Sequence, residues 1–577
     1  MSLVKQMLLD SFVRRRWIFF AALAFMGAVG HPADAASHKP VRGTHGMVVS
    51  ADRRASEVGV KILQRGGNAI DAAVAVGFAL SVVYPEAGNI GGGGFMLVRL
   101  HDGKSYVVDF REKASRHATP GMYVDSSGKL SDNSLNGPLS CGVPGTVAGF
   151  VLASERYGKL KFSELVQPSI ELAKSGAIID DRFAGVLAVY RDSLIKYSST
   201  RKVYFPHDAL LKQGDTLRLP ELAATLERIQ QSGLDGFYKG ETARLIVEEI
   251  RRGGGMMDQE DLDSYKAVIR EPLKGTYRGY DIITVPPPSS GGAGLLEMLN
   301  IVERFNLHES GFHSSQSVHI MAEAMERMHA DRAEFLGDPD FFNVPVNEII
   351  SKDYAQRLAL QIDSLNATPG KSIHHGAINV KEGNNTTHYA VIDSEGNIAA
   401  VTYTLNDLFG SKVVVDGAGF FLNDEMDDFS AQPGVPNAYG LIGGEANAIS
   451  PGKRPLSSMV PAIVLKNGAP YLILGARGGP RIITAIFETI VDVIDYGMNI
   501  QEAVDAPRFY HEWTPDTLQY ERFGFPRDVE QNLRSRGYSL KEVWYSLGQL
   551  EAIMVNPLNR IYEGASDPRE GGTAVGY

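Results

Sequence analysis

The sequence predicts an α+β chain, and three observations carry that expectation. Residues 36 to about 340 alternate helix-period and strand-like runs, whereas the pattern after Thr386 turns mostly to strands. Strand-like runs are joined by short turns such as Asp102-Gly103 and Lys466-Asn467-Gly468, so neighbours in sequence are expected to pair antiparallel. With 44% hydrophobic residues, the 577-residue chain has a length that suggests several domains and a composition that can equally fill one very large core.

The elements follow in order. Arg14, Arg15 and Arg16, the apolar "WIFFAALAFMGAV" and then Ala33-Asp34-Ala35 have the three parts of a secretory signal, expected over residues 1–35 with the mature chain starting near Ala36. A signal anchor is the alternative, but the apolar stretch is short for a membrane span of about 20 residues. No later segment is long and apolar enough to span, so no stable membrane span is expected after cleavage. A periplasmic location is expected, with an extracellular one as the alternative. Cys141 is the only cysteine, so no intrachain disulfide can form even in an oxidising compartment.

"RASEVGVKILQRGG" and "NAIDAAVAVGFALSVVYPE" read as helices, closed by Gly66-Gly67 and halted at Pro85. "FMLVRL" and "SYVVDF" read as a hairpin that places Arg111 just past a strand end. "LPELAATLERIQ" and "ETARLIVEEIRRGGG" repeat apolar residues at three and four spacings, as helices do. "PPPSSGGAG" is expected to be a loop, and residues 365–385 an exposed linker. "HYAVID" and "IAAVTYT" form a hairpin across "SEGN", and "AIVL" with "YLILGA" another. "GARGGPRIITAIFETIVDVIDYG" then passes from strand to long helix, with Gly478 and Gly479 where the helix begins.

A formal net charge of −11, with no Lys/Arg run in the mature region to offset it, argues against a nucleic-acid partner and fits a small polar substrate. Thr386 opens the first strand of its hairpin. A threonine hydroxyl needs an adjacent base, and a freed N-terminal amine with a pKa of roughly 7.7 to 8.0 would supply one on the same residue. A cut before Thr386 would therefore create a catalyst, although the local pattern alone favours an ordinary hairpin with a polar lead-in. Unpaired N–H groups at a helix start suit Gly478 and Gly479 to hold developing negative charge, and a glycine turn needed only for conformation is the alternative. Several motifs are rejected. "GKS" at Gly370 lacks the earlier glycine of a phosphate loop, "GGGGFM" lacks dinucleotide spacing, and His374, His375, His319 and His329 lack metal-ligand spacing. Asn385-Thr386-Thr387 matches a glycosylation acceptor only as chance triplets do.

The chain resembles the γ-glutamyltranspeptidases, a branch of the N-terminal nucleophile hydrolases. The resemblance rests on "GGNAIDAAVA", "GNIGGGGFM", "VVDFRE", "PPPSSGG", "NNTTHYAV", "LNDEMDDFS", "KRPLSSM", "GARGG" and "GASDPREGGTAVGY", in that order along nearly the whole mature chain. It implies a four-layer αββα sandwich with two central antiparallel sheets. One precursor would mature into a heterodimer of a large subunit, 36–385, and a small catalytic subunit, 386–577. It implies that Thr386 is the nucleophile, that Thr404 is hydrogen-bonded to its hydroxyl, and that Gly478 and Gly479 form the oxyanion hole. Arg111, Ser457 and Ser458 would bind the α-carboxylate of a γ-glutamyl group, and Asp428, Glu425 and Asn406 its ammonium. Tyr439 would reach in from a lid, "PGVPNAYGLIGGEANAI". Glutathione and related γ-glutamyl compounds are the implied donors, water and amino acids or dipeptides the acceptors, with no cofactor and no metal. A glutaryl-cephalosporin acylase of the same fold is one alternative, disfavoured by the acidic Asp428 and Glu425. A non-catalytic periplasmic binding protein is another, and it would remain one intact polypeptide.

Overall fold

Two seven-stranded sheets face each other at the centre of the computed structural model, which describes residues 37–125, 129–373, 385–430, 444–569 and 571–577. The first sheet runs, edge to edge, Thr573–Gly576, Met47–Ser50, Asn385–Ile392, Ile398–Asn406, Gly93–Arg99, Ser105–Asp109 and Val268–Arg270. The second runs Val41–Gly43, Tyr562–Ser566, Gln549–Val555, Ala469–Arg477, Ala462–Lys466, Tyr280–Thr284 and Leu273–Tyr277. Every pairing in both is antiparallel. In each sheet, strands from before and after Thr386 lie side by side. Residues Pro40–Tyr577 form one compact unit, and Met1–Lys39 a second of which only 37–39 are described. The proposed signal segment therefore lies outside the described residues, as do residues 374–384 of the expected linker 365–385, whose start is instead tied down by Thr368 on Glu323 and Gly370 N on Asp516.

Alternation within the strands explains the layers. On the strand after the proposed cut, Tyr389 and Val391 pack with the helices Arg53–Gln64, Ala69–Val83 and Thr146–Tyr157, while Ala390 and Ile392 pack with Ile473 and Ile553 of the second sheet. Leu296 and Ile486, on the helices Gly291–Val302 and Arg481–Ile494, cover the second sheet from outside. The order is thus helix, sheet, sheet, helix, the sandwich that the resemblance implies. Because both faces of each sheet are covered, Ile398–Asn406 is buried at every position and shows no polar alternation.

Local expectations hold for the two N-terminal helices, Arg53–Gln64 and Ala69–Val83, and for the Gly93–Arg99/Ser105–Asp109 hairpin. Asn68 and Asp71 close a reciprocal capping box at the start of the second helix. The "PPPSSGGAG" loop is shorter than expected, because a helix already begins at Gly291. Close packing selects glycine in that first turn: a Cβ on Gly292 would lie 2.0 Å from the Val285 carbonyl oxygen. The low helix propensity of the run masked this at the sequence level. The helix Ser315–Phe335 is buried along most of its length despite carrying His319, Glu323, Glu326, Arg327 and Asp331. Its polar groups pair within the core, with Arg327 on Glu323 at 2.7 Å and His319 between the Tyr538 hydroxyl and the Asp363 carbonyl, each at 2.7 Å.

Candidate active site

The sequence patterns of two hairpins bring their ends to one place. The strand Asn385–Ile392 pairs with Ile398–Asn406 so that Thr386 faces Thr404, and the register shifts between Asn385 and Thr386. The ladder is therefore broken at the bond proposed for cleavage. Thr386 shares its face of the strand with Ala390 and Ile392, so its side chain points between the two sheets. Its hydroxyl is 3.5 Å from that of Thr404, and the Thr404 hydroxyl accepts the Asn406 N–H at 2.8 Å. From the other sheet, the strand Ala469–Arg477 ends beside the same point. Gly478 and Gly479 follow it with φ of 132° and 60°, values that favour glycine, and the helix Arg481–Ile494 starts two residues on.

A narrow cavity is lined by Arg111, Thr386, Thr404, Asn406, Glu425, Asp428, Ser457, Ser458, Met459, Gly479 and Ile482. Nine of the residues named from the sequence thus converge. Gly478 is not among the lining; it backs Gly479 and packs on Gly548, whose Cα would lie 3.2 Å from a Cβ there. Tyr439 and most of the lid, residues 433–443, lie outside the described residues. Met459 and Ile482 escape sequence reasoning because apolar residues beside a polar motif carry no distinguishing signal.

Side-chain staples hold each wall. The Asn423 amide donates to the carbonyls of Gly91 at 2.8 Å and Gly142 at 2.9 Å and accepts from Glu425 N, fixing the short 3-10 turn Glu425–Asp428. The Asn447 side chain donates to the Asp428 carbonyl at 2.7 Å and accepts from Leu456 N at 3.0 Å, tying that turn to the Ser457-Ser458 segment. The Ser457 carbonyl in turn accepts from Ser290 N and from the Ser290 hydroxyl, each at 2.7 Å, so "PPPSSGG" acts as a brace rather than a wall. The Gly91–Gly94 run serves close approach: a Cβ on Gly92 would fall 1.9 Å from the Thr404 carbonyl oxygen.

The electrostatics depend on Arg111, which is fully buried. Its guanidinium is ion-paired with Glu425 and with Asp428, lies 3.4 Å from Glu112, and donates to the carbonyls of Pro455 at 3.2 Å and Leu456 at 2.9 Å. The sequence named these residues as partners for opposite ends of a substrate; the structure adds that they touch one another. Burial alone would lower the pKa of Arg111, but Glu425, Asp428 and Glu112 outweigh it and hold the side chain charged. Burial pushes Glu425 well above the carboxylate range against the pull of Arg111, and it pushes Glu112 up to about 7. Glu112 was visible in "VVDFRE" yet not singled out. One oxygen each of Glu425 and Asp428, and the Ser458 hydroxyl, are buried without a hydrogen-bond partner. The cavity wall therefore offers acceptors and a donor for a polar ligand.

His388, two residues after Thr386, is buried with its Nδ1 2.8 Å from the Thr402 hydroxyl, and burial pushes its pKa down to about 3. It is neutral at physiological pH. Among the described residues, Glu326, His511 and Asp516 bring metal-ligand atom types within 4.8 Å of one another, but none of the three lines this cavity.

Comparison with known proteins gives the family. The family model described as Gamma-glutamyltranspeptidase matches residues 55–577. The chain is similar to the glutathione hydrolase proenzyme of Escherichia coli K12, 47% identical over 98% of each chain. In structure it resembles the cephalosporin acylase of Bacillus halodurans, with a TM-score of 0.82 and 28% identity over 95% of this chain and 98% of that one. It also resembles the γ-glutamyltranspeptidase of Helicobacter pylori, with a TM-score of 0.56 and 42% identity over 62% of this chain and all of that one. By the family model and by its relatives, this chain belongs to the gamma-glutamyltranspeptidase family.

Proposed function

We propose that the chain is a self-processing γ-glutamyl acyltransferase and glutathione hydrolase. The observation that carries this reading is the convergence of Thr386, Thr404, Gly479, Arg111 and Asp428 on one cavity between the sheets. The Thr386 hydroxyl first attacks the Asn385 carbonyl, the C–N bond breaks to leave an ester and a free Thr386 amine, and water then opens the ester to free the hydroxyl. That amine then serves as base while the hydroxyl attacks the γ-carbonyl of the donor. The N–H groups of Gly478 and Gly479 hold the oxyanion, and Thr404 orients the nucleophile. The acyl ester passes to water or to the amine of an amino acid or dipeptide. The products of the cut are a large subunit, 36–385, and a small one, 386–577. Residues 1–35 are a secretory signal, and the mature protein is periplasmic. The arginine run, apolar stretch and small-residue site support both statements.

Substrate recognition follows from the ion cluster. A γ-glutamyl head is a zwitterion, so its α-carboxylate replaces Asp428 on Arg111 while its ammonium takes the released Asp428. The number of ion pairs is then unchanged, and no charge is left alone in the buried site. Asn406 and Glu425 complete the ammonium side, Ser457 and Ser458 the carboxylate side, and Tyr439 closes from the lid. A glutaryl substrate carries no ammonium and would strand Asp428. The acylase reading, favoured by the high TM-score to the Bacillus halodurans structure, is for that reason second.

Purified protein on a denaturing gel, with N-terminal sequencing of the smaller band, tests this. Two bands are expected, the smaller beginning Thr-Thr-His, and Thr386→Ala is expected to remain one inactive chain. Cleavage of that variant at the same bond without added protease would sink the proposal.

A further inference from the structure

At the far end of the strand that Thr386 opens lies a second, larger cleft. It has a volume of about 670 Å³ and is bordered by the turn Ser394–Gly396, the hairpin Lys466–Ala469, Arg99, Tyr471 and Arg560. Eight residues of extended chain separate it from Thr386, roughly 25 Å. It shares no lining residue with the cavity above.

Its lining runs against the sign of the chain's net charge. The protein carries a net charge of −11, yet three cationic side chains border this cleft: Arg99, Lys466 and Arg560. None of the three makes an ion pair among the described residues. The one carboxylate in the lining, Glu395, is paired with Lys159 at 2.6 Å. Lys466 rests over the rings of Tyr280 and Tyr471 at 5.2 and 5.5 Å.

Arg99 is the decisive group. It is 8% exposed, donates to the carbonyls of Gly468 at 3.0 Å and Leu100 at 3.4 Å, and its Nε is buried with no hydrogen-bond partner. Burying a cation with only carbonyls for company is costly, and burial lowers its pKa, with Asp102 the one carboxylate opposing. A guanidinium that lines a cationic cleft and has no carboxylate paired to it among the described residues matches an oxyanion, which presents several acceptor atoms to a planar fork.

We propose that this cleft binds a phosphate group, with Arg99 as the buried anchor and Lys466 as the rim contact. The phosphate is either free or the end group of a small organic molecule, since the cleft is far larger than the bare ion. Binding here is independent of γ-glutamyl chemistry and leaves the reaction rate unchanged.

The test is calorimetric titration of the purified mature protein with inorganic phosphate and with glucose 6-phosphate, in chloride at matched ionic strength. Saturable one-site binding is expected, accompanied by a rise in melting temperature. In Arg99→Gln and in Lys466→Gln, Kd is expected to rise at least about ten-fold, the effect of one lost charge-assisted hydrogen bond. Tighter binding of the sugar phosphate would identify an organic phosphate as the occupant, and equal binding the free ion. Absence of saturable heat, an unchanged Kd in both variants, or competition with a γ-glutamyl anilide for the catalytic cavity would each overturn the proposal. If Arg99→Gln fails to fold, the partly exposed Lys466→Gln decides alone.

Discussion

Arg111 and Arg99 are both buried arginines at the ends of strands in the same sheet, and their surroundings differ in kind. Arg111 follows the strand Ser105–Asp109 and is surrounded by Glu112, Glu425 and Asp428. Arg99 ends the strand Gly93–Arg99 and meets only carbonyls. A buried cation already matched by carboxylates selects a ligand carrying both charges, because only an exchange of partners keeps the site neutral. A buried cation without them selects a simple anion. The same side chain thus encodes two specificities through what lies beside it.

The largest test of this contrast is to neutralise each arginine. Arg111→Gln removes the guanidinium that Glu112, Glu425 and Asp428 surround, and removing one partner of a buried ion pair typically costs about 3 to 5 kcal/mol. A correspondingly lower denaturant midpoint, with loss of γ-glutamyl turnover, is expected. Arg99→Gln leaves no carboxylate behind and is expected to change stability by less than about 1 kcal/mol. Equal destabilisation by the two changes would dissolve the distinction.

Acid titration sharpens it. Glu112 holds its proton in the folded state up to about pH 7, above its ordinary value of 4.5, so the folded protein binds more protons than the unfolded chain between these limits. Stability from this group is fully present below pH 4.5 and is lost as pH rises through 7. At about 1.4 kcal/mol per unit, the effect is at most roughly 3 kcal/mol. Glu112→Gln is expected to flatten that slope, measured as unfolding midpoint against pH. A slope identical to that of the parent would assign the titration elsewhere.

A smaller and more selective effect is expected at Asp428. Asp428→Asn should lower kcat/KM for a γ-glutamyl anilide about ten- to a hundred-fold, the worth of one charge-assisted hydrogen bond, and relatively spare a glutaryl anilide. An equal loss on both substrates would make Asp428 structural.

Much of this site was legible in the sequence through the family resemblance, whose motifs fall on recognisable local patterns. Thr386 opens a hairpin, Gly479 sits at a strand-to-helix switch, and Arg111 follows a strand end. What was not legible is long-range: Arg111 meets Glu425 and Asp428 across 314 and 317 positions, and no periodicity reports such contacts. The helix Ser315–Phe335 was similarly opaque, since its acidic and basic residues resemble a solvated face until the core that pairs them is assembled. The start of the helix at Gly291 was hidden by glycines chosen for close packing rather than for propensity.

The interleaving of strands in the two sheets has a consequence for the life of the mature enzyme. In the first sheet Asn385–Ile392 is flanked by Met47–Ser50 and Ile398–Asn406, and in the second Ala462–Lys466 is flanked by Tyr280–Thr284 and Ala469–Arg477. Severing the chain before Thr386 would therefore divide a polymer without dividing an object. Neither fragment would own a complete sheet, and each, taken alone, would expose raw strand edges that invite aggregation. The two pieces should melt in one transition and resist native separation, and halves expressed apart should fail to reassemble efficiently. Synthesis as a single chain is then a folding device: the continuous polypeptide threads the strands into register before it is cut.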